Sequence, residues 1–455
     1  MANVYEPLVR NRLGRIEPEA ALSWSVSHDR TKYTFKIDVE RRFSNGDRLT
    51  AGHFKKAWEE GLKRAPKSSN SSLSDVLYRT KGFESFQKKG VLDGVRAPAN
   101  DVLEIEFAAP YRSALEDLAG NRYAAVVVQG DETLGTGAYV VEHEAEDAAR
   151  FRPNPHSRHT GLFKEVTVVV AKAQDAMDLV TGGEIDAFYT FGHHWFEACE
   201  KIPNARCLSG PESAHQSVYI NGLPGRFFAH PERRNALQAL VWSLFSTKEG
   251  GPQTFGFSPG LRFDPQFYLP FQAGRLEESE VATRVKSHEA DIEELKRATQ
   301  TQPLKFITGR DSTALIDALR SAGLRLTTDS GKMPFKESLE DYYKSLTSDL
   351  IIGGFSVWNG DPDGAYHILS ASGAITSPMI QRPTVSALLE EGRALVNLEE
   401  LDPHYQKVSR AILEEVPFVH VGMVSDQILY RRDRLETDED LLSRSGNVFH
   451  LFRGK

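Results

Sequence analysis

Asp349-Leu350-Ile351-Ile352-Gly353-Gly354-Phe355-Ser356-Val357-Trp358-Asn359-Gly360-Asp361-Pro362-Asp363 is an apolar run that breaks into a tight acidic turn. Residues 349–355 have the length and composition of a strand. Helical patterns lie on either side, so this strand belongs to an α/β core, where ligands bind on loops beyond strand ends. Two readings of the turn stand side by side. Trp358 is a flat apolar platform and Asp361 a charged hydrogen-bond acceptor for a ligand, or Trp358 is core and the aspartates set the turn.

Working outward, the same alternation recurs. Residues 166–170 read as a buried strand, and a helix near 173–180 ends at Gly182-Gly183. Ala236, Leu237, Leu240, Val241 and Leu244 share one face of a helix over 232–245. Residues 304–307 form a short strand, and Asp311 caps a helix through Leu319 that stops near Gly323. Two late helices are predicted near 384–397 and 403–415, the second with Asp402 as cap and Pro403 at its first position. The charged residues 272–300 predict a surface helix with loops. Towards the N-terminus, Trp24 and Val26 alternate on one arm of a hairpin and Tyr33, Phe35 and Ile37 on the other. Asn45-Gly46 marks a turn, and Thr50 is an N-cap for a helix burying Phe54, Ala57, Trp58, Gly61 and Leu62. Lys67 to Ser72 reads as a surface loop.

The chain has 455 residues, 40% hydrophobic and 26% charged, the composition of a globular protein with two or three lobes. Lysine plus arginine total 55 against 63 acidic residues, a net charge of −8, which lacks the positive field that nucleic acid requires. No apolar run approaches the roughly 20 residues of a membrane span. The N-terminus has neither a basic n-region nor an apolar h-region, so the expectation is either a cytoplasmic protein or an exported one whose leader is absent from this sequence. Cys199 and Cys207 are the two cysteines, and their pairing stays open.

Enzyme signatures fail on their chemistry. Gly256-Phe257-Ser258-Pro259-Gly260 has the spacing of a nucleophile elbow, but Pro259 has no N–H to give an oxyanion, and no strand and helix flank it. Gly135-Thr136-Gly137 lacks the third glycine of a dinucleotide loop, Val140 standing there. His143-Glu144 and His288-Glu289 end on Asp147 and Ile292 rather than a second histidine, and Asp361-Pro362-Asp363-Gly364 continues with Ala365 where a calcium ligand belongs. His193, His194 and Cys199 lack a fourth metal ligand at a recognisable spacing. No cofactor is expected.

Several motifs together resemble one family, the bacterial extracytoplasmic solute-binding proteins of the oligopeptide, dipeptide and nickel class that serve ABC importers. Val4-Tyr5-Glu6-Pro7-Leu8-Val9 is similar to its opening segment, and 17–27 with Tyr33-Thr34-Phe35 to its first hairpin. Phe43-Ser44-Asn45-Gly46-Asp47-Arg48-Leu49-Thr50-Ala51 resembles its F-x-x-G-x-x-L-T-A signature. Gly135-Thr136-Gly137-Ala138-Tyr139 resembles its G-T-G-P-Y, Gly183-Glu184-Ile185-Asp186 its G-E-I-D, and Asn359-Gly360-Asp361-Pro362-Asp363 the acidic turn near the ligand. The motifs keep the family's order from residue 4 to residue 363.

The resemblance implies a two-lobed, periplasmic-binding-protein-like (type II) α/β fold with a ligand cleft between the lobes. Lobe I would be residues 1–220 with the tail 421–455, and lobe II 221–420, the crossings lying near Val218 to Asn221 and Pro417 to His420. It implies hinge closure on a peptide or similar-sized polar organic solute, delivery to an ABC permease, a monomer, no enzymatic activity, and an extracytoplasmic place with membrane contact only through the permease or a lost lipid anchor. The site residues it suggests are Trp358, Asp361, Tyr5, Gly135, Thr136 and Phe257, the last from a loop across the cleft. Departures matter. Trp358 occupies the place where dipeptide-binding members have an aspartate for the peptide's α-amino group, so either Asp361 substitutes or the ligand has no free amine there. The chain also starts abruptly at the Tyr5 motif, Ala138 replaces a proline, and His53 replaces an acidic residue. Alternatives are a ligand sensor using the same fold, a carrier of a metal chelate through His193 and His194, and a hydrolase at Ser258.

Overall fold

The computed structural model describes residues 2–455 apart from 13, 65–73, 131, 172, 192–198, 200–201, 248–254, 256, 258–260, 308–312, 330–346, 357–360, 371–381 and 438–450. The chain divides into two units, one made of Met1–Thr190, Trp195–Pro211 and Gln427–Lys455, the other of Phe191–His194 and Glu212–Asp426. Two long strands, Ala205–Ile220 and Phe418–Arg431, each begin in one unit and end in the other. The resemblance suggests these passages near Val218 to Asn221 and Pro417 to His420. Among the described residues no helix is long and apolar enough to cross a membrane.

The first unit is built on a four-stranded antiparallel sheet in the order Ala21–Val26, Lys32–Ile37, Val102–Glu106, Val95–Ala99. Period-two alternation sends Tyr33, Phe35 and Ile37 inward, where Phe35 faces Leu103 and Tyr33 faces Ile105. The hairpin turn is held by Asp29, whose carboxylate accepts from Ser27 Oγ at 2.6 Å and Thr31 Oγ1 at 2.9 Å. The helix Ala51–Arg64 buries Ala51, Phe54 and Trp58. Burying each large side chain is worth about 1.5–3 kcal/mol. Trp58 also donates its indole N–H to the Tyr123 carbonyl at 3.0 Å. His53 takes the part of the usual acidic residue in a capping box, its Nδ1 accepting the Thr50 N–H at 3.0 Å. That exchange explains why a histidine is tolerated there.

The second unit is centred on a mixed sheet. Leu350–Ser356 runs parallel to Leu304–Ile307, which runs parallel to Leu326–Asp329, and antiparallel to Ala205–Ile220. Beyond Ala205–Ile220 the order adds Phe418–Arg431. The glycine pair inside the strand is required by its neighbour. A Cβ on Gly353 would lie 2.2 Å from the Tyr219 ring, and one on Gly354 2.6 Å from the His215 carbonyl. The helices Pro231–Thr247 and Thr313–Ser321 bury Ala236, Leu237, Val241, Leu315 and Ile316 in this unit's core.

Some expectations change. Residues 166–170 are not buried: the strand is Val166–Val169, at the edge of a three-stranded sheet, with Val169 46% and Val170 75% exposed. It pairs on one side alone, with Ala148–Pro153, and the run Val168-Val169-Val170 hides the alternation that would have shown this. Asp402 is not a cap, because its helix starts one residue earlier, at Leu401–Glu415. Its carboxylate accepts instead from the Gly274 N–H at 2.8 Å. The charged stretch gives two helices, Glu278–Lys286 and Ile292–Thr301, each with a buried side. Cys199 and Cys207 are joined as a disulfide. The Ser-rich loop, the Asp311 cap, His193, His194 and Ser258 lie outside the described residues.

The two unit-crossing strands are tied to each other by buried imidazoles. His215 Nδ1 and His420 Nε2 are 2.8 Å apart, His420 Nδ1 is 2.7 Å from the Asp264 carbonyl, and His215 stacks on Phe267 at 4.4 Å. Burial pushes both down, His420 to about 4, against the Asp264 charge that favours its protonation. Both imidazoles therefore fold neutral. The contribution of His420 is complete above about pH 6.5 and is lost as pH falls towards 4. A depression of this size at His420 is worth about 3 kcal/mol. Urea unfolding of wild type and His420→Gln between pH 7 and 4 checks this: wild type should lose about 3 kcal/mol relative to the variant, and a constant difference would refute it.

Candidate ligand-binding site

The acidic turn is built from its own residues upward. After the strand Leu350–Ser356, Asp361 caps a short 3-10 turn, Pro362–Ala365, its Oδ1 accepting from the Asp363 N–H at 2.8 Å with Pro362 at the first position. Asp363 is fully buried. Its Oδ2 is 2.8 Å from Arg393 Nε, and Tyr405 donates its hydroxyl to Oδ1 at 3.3 Å. Arg393, 1% exposed, comes from the helix Pro383–Arg393, and its guanidinium lies 3.5 Å from the centre of the Tyr366 ring. Tyr366 in turn donates to Glu390 at 2.5 Å. The two aspartates thus have different tasks. Asp361 is half-buried and shapes the turn, while Asp363 ties it to two helices.

The residues suggested from the first unit come together. Tyr5 is buried and donates its hydroxyl to Thr133 Oγ1 at 2.7 Å. Gly135 and Thr136 lie beneath the same N-terminal segment: Gly137 N–H donates to the Val4 carbonyl and Tyr139 N–H to the Asn3 carbonyl, both at 2.9 Å. A Cβ on Gly135 would stand 2.0 Å from the Val4 carbonyl oxygen, so glycine is there to let two backbones touch. Thr136 is buried. The segment is held further along by Glu6, which meets Arg41 at 2.5 Å and His159 at 3.3 Å. Burial would raise Glu6, but these partners win and hold it at about 2.

Asp361 belongs to the second unit, as does Phe257, which is packed in that unit's core edge-to-face with Phe245 at 5.7 Å. Core contacts occupy its ring. Trp358 lies outside the described residues. Sequence reasoning missed Arg393, Tyr366 and Tyr405, because nothing local marks a helix arginine as the partner of an aspartate thirty positions earlier. Among the described residues no cluster of histidine, cysteine and carboxylate groups could hold a metal ion.

Comparison with known proteins shows the family and the fold. Residues 15–377 match the family model for bacterial extracellular solute-binding proteins, family 5. The chain belongs to this family. Family-5 members are binding proteins rather than enzymes. Among curated relatives, the dipeptide-binding protein DppE of Bacillus subtilis is 36% identical over 127 residues, 27% of this chain and 22% of that protein's length. Among solved structures, OppA of Haemophilus influenzae in complex with RPPGFSPFR matches with a TM-score of 0.75 at 15% identity, over 100% of this chain and 93% of that one. DppA of Helicobacter pylori in complex with the peptide STSA gives 0.75 at 16%, covering 99% and 92%. NikA of Brucella suis with Fe(III)-EDTA gives 0.74 at 16%, covering 100% and 94%. These likenesses establish the two-lobed binding-protein fold.

Two substitutions test the local roles in this family-5 protein. Gly135→Ala should cost about 1–3 kcal/mol by driving a methyl into the Val4 carbonyl. Asp361→Ala should cost about 1 kcal/mol and Asp361→Asn much less, because asparagine also caps. Chemical denaturation checks both, and equal losses for the Asp361 pair would mean that its charge, not its cap, matters.

Proposed function

We propose that this chain is the substrate-binding component of an ABC importer, closing its two units on a peptide or similar-sized polar organic solute and presenting it to a membrane permease. The observation that carries this reading is the pinned acidic turn at the carboxyl end of Leu350–Ser356, where open α/β sheets place ligands. A turn fixed by a buried ion pair keeps its geometry while a ligand exchanges, which lowers the ordering cost of binding. Relatives named as dipeptide- and peptide-binding support the ligand class.

In this reading Trp358 is the apolar platform and Asp361 the charged group nearest it in sequence, with Tyr5, Gly135 and Thr136 contributed by the first unit. Phe257, whose ring is packed in the second unit's core, supports that unit's fold in this reading rather than touching the solute. Closure follows from differential contact: a ligand touching both units stabilises the shut form alone. The protein works as a monomer outside the cytoplasm, and the Cys199–Cys207 disulfide agrees with an oxidising compartment.

Calorimetric titration with short peptides and their N-acetylated forms tests the proposal. Because tryptophan replaces an aspartate at 358, acetylation should change affinity less than tenfold. Trp358→Ala should weaken binding more than tenfold while circular dichroism stays unchanged. Unfolding of that variant would make Trp358 a core residue, and silence with all peptides but a response to sugars or metal chelates would move the solute to another class.

A further inference from the structure

A cavity lies in the second unit, away from the acidic turn in the chain, with a volume of about 510 Å3 that suits a small molecule. One of its lining residues is a charged group left incompletely satisfied. Arg234, on the helix Pro231–Thr247, is 4% exposed. Its Nε donates to the Glu415 carbonyl at 2.9 Å, and its Nη1 to the Phe228 and Ala229 carbonyls at 2.9 and 3.3 Å. Nη2 has no hydrogen-bond partner, and the guanidinium no ion pair, among the described residues. Burial disfavours the charged guanidinium, the charges of Glu415 and Glu232 offset part of that cost, and a carboxylate brought to Nη2 would offset more.

The same cavity receives two acidic residues. Glu415 turns its carboxylate onto the Thr384 and Val385 N–H groups at 2.9 and 3.0 Å, closing the N-terminus of Pro383–Arg393. Glu414 is largely exposed and pairs with Arg284 at 3.1 Å. A simple anion would meet these carboxylates and a simple cation would meet Arg234. A molecule carrying both charges on one carbon satisfies both. Pro224, Pro231 and Pro383 supply wall without N–H donors, which favours an apolar side chain.

We propose that this cavity binds a free α-amino acid with an apolar side chain, its carboxylate on Arg234 and its ammonium towards Glu414 and Glu415. The proposal is independent of the solute reading, since no residue is shared.

Saturation-transfer NMR on the full chain with L-leucine tests it, with L-leucine methyl ester and N-acetyl-L-leucine as probes lacking one charge each. L-leucine should bind saturably and each blocked probe at least tenfold more weakly. Ala229→Phe, which fills the cavity, should abolish the signal. Glu414→Gln, an exposed change that leaves the core alone, should weaken binding severalfold. Trp358→Ala should leave leucine binding unchanged. The proposal is overturned if leucine does not bind saturably or if the blocked probes bind equally well. It is overturned too if Trp358→Ala removes binding that Ala229→Phe retains, which would put the amino acid in the solute site.

Discussion

The buried pair of Asp363 and Arg393 is the contact on which the second unit's acidic turn depends. A lone carboxylate with no exposure would be strongly disfavoured, and so would a lone guanidinium. Each exists because the other is 2.8 Å away, and because Tyr405 and Tyr366 satisfy what the pair leaves over. Such a pair adds little net stability compared with an apolar replacement, but it fixes one geometry. What it fixes is the turn that follows Leu350–Ser356 and the helix that ends at Arg393. Gly392 belongs to the same arrangement, since a Cβ there would stand 2.7 Å from the Tyr405 hydroxyl.

The first unit reaches a comparable end by a different means. There the N-terminal segment is laid directly on the Gly135-Thr136-Gly137 loop, backbone on backbone, and locked by Glu6 and Arg41. The motif that looks like a nucleotide loop is therefore a packing device. Its glycines are needed for close approach of the chain to itself, and no phosphate enters the account.

Much of this was legible in the sequence because its causes are local. The alternation of Tyr33, Phe35 and Ile37, the apolar spacing of Ala236 to Leu244, and the strand Leu304–Ile307 each depend on neighbours within a few residues. The site was only half legible. Asp361 and Asp363 were visible as a turn, but which of them faces inward depends on Arg393, and an arginine on an amphipathic helix gives no sign of burial. The pairing of His215 with His420 was hidden for the same reason, its partners lying 205 positions apart. Val166–Val169 misled in the opposite sense, because apolar residues at a sheet edge look like apolar residues in its centre.

The most direct test is a double-mutant cycle on the buried pair, comparing Asp363→Asn, Arg393→Met and the double variant by chemical denaturation. The account predicts that each single change is costly and that the double variant recovers much of the loss, a coupling of about 2 kcal/mol or more. Additivity within about 0.5 kcal/mol would contradict it. The turn would then hold its shape without the ion pair.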